Sequence, residues 1–250
     1  MAGTIMHRSH IPIQEWFWGA YLVTTITPGI SALQLQRQLG LGSYRTAWFM
    51  LHRLRRGMVN DNRTPLLGTI EADETIIGGP VKNKRGRGVI MEATKSLVVG
   101  AVEVFTHVDK EGSQKEKAGR LRLAVIDHAD EKTIGLFLRE NVKSGSIIRS
   151  DGWRGYSKAA LAGYTHDQRV VSSSTSKHAH QVAPHIHRVF SHLKTWLQGT
   201  HHGVEPKYLS AYLDEFVFRF NRRKTPQAAF KTLLGIAYHK KPVTLSHLKS

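Results

Sequence analysis

The chain has 250 residues, enough to bury a real core in one large or two modest domains, and its hydrophobic and charged fractions are those of ordinary globular material. Its 36 Lys and Arg stand against 19 Asp and Glu, a formal net charge of +17, which favours a polyanionic partner. Cysteine is absent, excluding a disulfide framework and a thiolate zinc site within these residues, and no apolar run reaches the roughly 18 residues of a membrane span. A cytoplasmic protein that faces nucleic acid and has no membrane partner is the expectation.

Residues 1–62 read as a helical region of helix-turn-helix type. Ile11-Pro12-Ile13 leads into an apolar, aromatic helix from Trp16 to Ile26, ended by Pro28-Gly29. Ser31 can cap a second helix carrying Leu33, Leu35 and Leu39. Gly40-Leu41-Gly42 turns the chain, and Ser43 can cap a third helix, Tyr44 to Met58, with Ala47, Leu51 and Leu54 on one face. Helix, glycine turn, cap, helix fits both a DNA-binding helix-turn-helix and a plain structural hairpin. The third helix carries Arg45, Arg53, Arg55 and Arg56, as a recognition or phosphate-contacting helix would; Arg45 and Arg53 are its candidate DNA contacts.

Beyond the polar linker Asn60 to Pro65 the pattern changes to strands. Leu67 to Asp73 is the first, with Glu71 and Asp73 on one face because side chains alternate with period two. Gly78 to Gly88 follows, a basic loop in which Lys84, Arg85 and Arg87 are candidate DNA contacts or the solvated tip of a hairpin. Ser96 to Phe105 and Arg120 to Ile126 are two further strands, separated by a charged turn or mobile loop from Asp109 to Ala118. Asp130 can cap a helix from Glu131 to Asn141.

The strand Ser146 to Ser150 then delivers Asp151, at the head of Asp151-Gly152-Trp153-Arg154-Gly155-Tyr156. A brief helix is expected from Tyr156 to Leu161, a fifth strand from Gln168 to Val171, and a Ser/Thr-rich loop from Ser172 to Ser176. His185 to Gln198 is amphipathic, with Ile186, Val189, Phe190, Leu193 and Leu197 recurring at three and four, and a last helix runs from Lys207 to Arg223.

Three strands, helix, strand, short helix, strand, helix is the element order of a ribonuclease H-like mixed β-sheet flanked by helices, here preceded by a helical region: an α+β or α/β class. In such a sheet the first and fourth strands are neighbours, so Asp73 and Asp151 can share divalent ions. Phosphoryl transfer on DNA uses a pair of ions about 3.5 to 4 Å apart to activate the attacking oxygen and to stabilise the leaving one, and hard oxygen ligands suit Mg²⁺.

Five separated motifs carry a family resemblance. They are Glu71-Ala72-Asp73-Glu74-Thr75-Ile76-Ile77-Gly78-Gly79; Asp151 to Tyr156; His187-Arg188-Val189-Phe190-Ser191 with Lys194; Gly199-Thr200-His201-His202; and Tyr212 to Phe216 running on to Arg223. With these the chain resembles, from about Ala2 to Leu234, the bacterial insertion-sequence transposases of the ISXO2-like type. The resemblance implies a metal-dependent (Mg²⁺ or Mn²⁺) DNA strand transferase that cuts at the ends of a mobile element and joins them to target DNA. Its expected partner is double-stranded DNA, its expected state at least a dimer when two ends are paired, and its expected location the bacterial cytoplasm with the nucleoid. It also implies domain limits: helix-turn-helix-like region 1–62, catalytic domain 63–234, basic tail 235–250.

Carried over by motif, Asp73 and Asp151 are the first two catalytic acids and metal ligands. His187 stands where many relatives carry Glu or Asn, with Lys194 as the accompanying basic residue. Seven helical steps return within roughly 20°, so His187 and Lys194 share a face. Neutral imidazole ligates transition metals more readily than Mg²⁺. Glu205, Asp214 and Glu215 are substitutes in principle, with a surface or salt-bridged role the expectation.

His178, His180, His185 and His187 recur at spacings that split helix faces and do not suggest zinc, while His180 or His185 suits a phosphate contact. Trp153 and Arg154 suit stacking on a base or gripping a phosphate, with core packing an equal alternative for Trp153. Relatives commonly carry a cysteine zinc ribbon ahead of the helical segment; its lack here suggests a truncated copy or a shorter lineage. The rival to an active transposase is a catalytically silent, transposase-derived DNA-binding repressor, and a third reading is a structure-selective nuclease.

Overall fold

The computed structural model describes residues 3–78, 95–151, 153–158, 160–169 and 182–244. The basic loop with Lys84, Arg85 and Arg87, the Ser/Thr-rich loop, Gly152, His178 and His180 lie outside them. By contact the chain divides into two compact units, 64–194 and a second made of 1–63 with 195–250. This differs from the division drawn from sequence. The C-terminal helices bury their apolar faces in the same core as the N-terminal ones, and what was read as a tail from 235 begins inside a helix.

The unit 64–194 is built on a five-stranded sheet. Its strands are β1 (Thr69–Ile77), β2 (Ser96–Val108), β3 (Gln114–Ile126), β4 (Ile147–Ser150) and β5 (Thr165–Gln168), in the spatial order β3-β2-β1-β4-β5. The first three form an antiparallel meander, and β4 and β5 add in parallel beside β1. This is the ribonuclease H-like arrangement, with β1 and β4 adjacent as expected.

Alternation sorts the side chains of β1. Ile70 and Ala72 join Ile148, Tyr156 and the residues Ile134, Phe137 and Leu138 of α4 (Glu131–Asn141) in one core cluster. Asp130 caps α4 as expected, accepting the Thr133 N–H at 2.8 Å. Glu71 and Asp73 point to the opposite face, against α5 (Pro184–His201). Gly100 pairs with Asp73 across the ladder, and a Cβ there would meet Ile186 Cδ1 at 2.9 Å and Phe190 Cε1 at 3.0 Å. Absence of a side chain lets α5 lie close on the sheet.

Four local expectations shift. The hairpin β2–β3 is longer than read, since Phe105–Val108 pair with Gln114–Lys117 and only 109–113 turn. Lys115 and Lys117 face water while their backbone stays in the ladder, so charge concealed a strand, and Asp109 closes the turn by accepting the N–H groups of Glu111 and Ser113. The fifth strand lies earlier, at Thr165–Gln168, where it pairs with Ile147–Ser150. The brief helix after Asp151 is a single 3-10 turn, Arg154–Tyr156. Lys207–Arg223 splits into a 3-10 turn at Pro206–Tyr208 and α6 (Leu209–Asn221).

In the other unit α1 (Ile13–Thr25), α2 (Ala32–Leu39) and α3 (Tyr44–Arg56) pack with α6 and α7 (Pro226–His239) around Trp16, Leu35, Leu51, Leu54, Phe218 and Leu233. Ser31 and Ser43 cap α2 and α3 as expected, and Gly40 ends α2 with φ 62°, the left-handed conformation glycine tolerates. No helix among the described residues is long and apolar enough to cross a membrane.

The expected role of Arg53 is corrected here. It is buried, and its guanidinium donates to the carbonyls of His7 at 2.9 Å and Val243 at 3.1 Å, so it closes the core and does not reach DNA. Arg55 is buried too, with Nε 2.8 Å from Glu215 Oε2 and its guanidinium 3.8 Å from the Tyr212 ring centroid. Arg45 is exposed, as expected. Breaking a buried pair leaves a charge without compensation. Glu215→Ala is therefore expected to cost about 3–5 kcal/mol of unfolding free energy in denaturant titration.

Candidate active site

Parallel pairing of β1 with β4 sets Glu71 opposite Arg149, so the next inward-alternating position on each strand is Asp73 and Asp151. The register sets the two carboxylates on the same face of neighbouring strands, Asp73 midway along β1 and Asp151 just past the end of β4. Asp151 lies just beyond β4, exposed, and its Oδ1 accepts the Trp153 N–H at 2.9 Å, an Asx turn that starts the glycine-containing segment. From α5, His187 places Nε2 3.5 Å from Asp73 Oδ2, and Lys194 is close enough to act on Asp73 electrostatically. The structure thus brings Asp73, Asp151, His187 and Lys194 to one place.

The electrostatics there are those of crowded carboxylates. Burial raises the Asp73 carboxyl above the ordinary range, and the neighbouring Asp151 raises it further, against the lowering influence of the Glu74 backbone N–H, His187 and Lys194. Glu74 is a member of the cluster that sequence reasoning passed over. Burial lifts it to about 7, with Asp73 and Asp151 adding to the rise, although Tyr156 donates its hydroxyl to Glu74 Oε1 at 2.6 Å. Burial and Glu74 together push the Tyr156 hydroxyl well above its usual range. The signal was present in the Asp73-Glu74 doublet and the Tyr156 of the second motif. What hid it was that adjacent strand residues point to opposite faces, so only the tertiary fold shows Glu74 reaching Tyr156 behind the site.

A second cluster lies beside the first. Ligand atoms of Glu71, Glu116 and His185 fall within 4.8 Å of one another, a spacing that could hold a metal ion. Its centre already contains a cation. Arg149 Nη1 lies 3.3 Å from Glu71 Oε1 and 3.1 Å from Glu116 Oε2, and its Nε lies 3.1 Å from Asp167 Oδ2. His185, expected as a phosphate contact, is buried with Nδ1 2.9 Å from Glu71 Oε1, which corrects that expectation. The cluster is an ion-pair network in which one guanidinium compensates part of the charge of three carboxylates. Asp73, Asp151 and His187 offer instead two hard oxygen donors and an imidazole, donor types that suit a divalent ion, although unlike Glu71, Glu116 and His185 they do not all lie within 4.8 Å of one another.

Trp153 is 55% exposed, with its indole N–H 3.3 Å from the Ala129 carbonyl, so core packing does not describe it. It borders a cleft of about 540 Å³ that Tyr156, Lys158, Tyr164 and His166 also line. The side chain of Arg154 lies outside the described residues. Glu215 is taken by Arg55, Glu205 pairs with Lys207 at 3.3 Å, and Asp214 is lifted to about 6 by burial, so the last is not the surface group expected.

A sequence model of the family described as an ISXO2-like transposase domain matches residues 65–221. No curated protein matches the chain.

Glu74 makes stability depend on pH in a calculable direction. Its pKa of about 7 in the folded chain against about 4.5 unfolded means that the native state holds the extra proton between those values. Stability contributed by that proton is present below about 4.5 and falls as pH rises to about 7, by on the order of 2–3 kcal/mol. In metal-free protein Glu74→Gln is expected to remove this fall. Parallel pH profiles of parent and variant in urea unfolding would contradict it.

Proposed function

The chain belongs to the ISXO2-like transposase domain family, whose match spans residues 65–221, and from that premise we propose that it is the DNA strand transferase of a bacterial insertion sequence. The observation that carries the proposal is the register that sets Asp73 of β1 beside Asp151, just past β4, on one face of the sheet, with His187 at 3.5 Å from the first. Asp73, Asp151 and His187 are the residues that would hold divalent metal. Bound metal would supply Lewis-acid charge for phosphodiester exchange, stabilising an oxygen as it leaves phosphorus.

The residues themselves have distinct tasks. Asp73, half-buried against α5, and the exposed Asp151 gather negative charge where a cation is wanted. His187 adds a neutral donor, which shifts preference toward Mn²⁺ relative to an all-carboxylate site. Lys194, exposed on the same helix and acting on Asp73, is suited to meet a phosphate oxygen. The +17 charge favours double-stranded DNA through counterion release, with exposed Arg45 and Trp153 and the basic residues Lys84, Arg85, Arg87 and Arg154 as further contacts. The balanced reaction is phosphodiester exchange: an oxygen of water or of a 3′-hydroxyl forms a new P–O bond as the old P–O bond to a 3′-oxygen breaks. Joining two element ends calls for at least two protomers, acting at the nucleoid.

The test is a strand-transfer assay with paired element ends in Mg²⁺ and in Mn²⁺. Asp73→Asn and Asp151→Asn are each expected to lose on the order of 10³-fold or more, several kcal/mol of transition-state stabilisation. Parent-like cutting by both variants would refute the assignment of catalysis to Asp73 and Asp151, whereas DNA binding without metal-dependent cutting by the parent would leave a DNA-binding repressor. Mn²⁺ is expected to support at least as much joining as Mg²⁺, and His187→Ala to erase that advantage. Robust joining in Mg²⁺ with none in Mn²⁺ would count against His187 as a ligand.

A further inference from the structure

The start of α5 has no capping side chain of its own. Its first backbone hydrogen bond runs from the His187 N–H to the Ala183 carbonyl, so Ala183 occupies the capping position and offers only a methyl group. Pro184, first in the helix, has no N–H to satisfy. The next two N–H groups, of His185 and Ile186, both end on Glu71 Oε2, at 2.7 and 3.0 Å. Glu71 Oε1 receives the His185 ring and Arg149. A carboxylate from β1, wholly without exposed surface, thus does the work of an N-cap for a helix more than a hundred residues away in sequence.

We propose that Glu71 is the positioning residue of the candidate site: by capping α5 from β1 it sets where His187 stands relative to Asp73. This rests on the reading of Asp73 and His187 as metal ligands. Asp73 lies two residues after Glu71 on the same face of β1, and His187 two residues after His185 in α5. One carboxylate therefore ties together the two backbones from which the donors project. Its charge also complements the positive end of the helix, so an amide in its place keeps part of the hydrogen bonding and loses the electrostatic share.

The experiment uses the full chain, metal-free and Mn²⁺-loaded, with Glu71→Ala, Glu71→Gln, His187→Ala and the double variant Glu71→Ala/His187→Ala. In metal-free protein, hydrogen exchange at the His185 and Ile186 amides is expected to rise at least about tenfold in Glu71→Ala and less in Glu71→Gln, with amides near Trp196 unchanged. Mn²⁺ affinity, read from the free-ion resonance signal, is expected to fall about 10- to 100-fold in Glu71→Ala. In the His187→Ala background the same change should cost little more, because the group it positions is gone.

Unchanged exchange at both amides overturns the proposal, as does an equal loss of affinity in both backgrounds, which would mean that Glu71 supports β1 generally. If Glu71→Ala does not fold, Glu71→Gln decides by the same two readings. Failure of the metal-site assignment would look different: Asp73→Asn would bind Mn²⁺ as the parent does, and the exchange rates would still decide the cap.

Discussion

A carboxylate with no surface in water needs compensation from every group around it, and at Glu71 those groups are two backbone N–H donors of α5, the His185 ring and the Arg149 guanidinium. Because β1 alternates with period two, holding Glu71 also orients Asp73. Because α5 is a rigid rod over its first turns, holding its first N–H groups also orients His187. Beneath this anchor, the bare surface of Gly100 admits Ile186 and Phe190, so apolar contact and hydrogen bonding agree on one position for the helix.

Two neighbouring sets of acids on this sheet are treated in opposite ways. Glu71, Glu116 and Asp167 surround Arg149, with Arg169 also on Asp167, and are partly compensated within the protein. Asp73 is raised by burial and by Asp151, and Glu74 by burial and by both aspartates. The first set holds structure together, and the second stores repulsion that a divalent cation would relieve. Distance between ligand atoms picks out Glu71 and Glu116 of the first set with His185, and the Arg149 guanidinium sits among their carboxylates.

The helical unit uses charge inwardly as well. Arg53 and Arg55 come from a helix whose sequence is rich in arginine, yet both are buried, one on backbone carbonyls and one on Glu215 beneath Tyr212. Net charge counts cations without saying which of them reach solvent. A guanidinium whose stem packs against aromatic rings serves as core material with a polar end. Arg45, the second residue of the same helix, remains outside.

Periodicity and caps are local properties, so α2, α3 and α4 with their capping Ser31, Ser43 and Asp130 were legible from the chain alone, as was the alternation placing Glu71 and Asp73 on one face. The spaced motifs likewise carried the family. The length of the β2–β3 hairpin was not legible, because backbone pairing does not require apolar side chains, nor was the grouping of α6 and α7 with α1–α3, which depends on which apolar faces meet. Sequence by itself singled out the two aspartates and determined the helix bearing His187. Only the tertiary structure decided that Glu71 caps that helix, that Arg149 fills the rival acidic cluster, and that Glu74 meets Tyr156, since each depends on partners tens of residues apart whose approach is set by packing and not by local spacing.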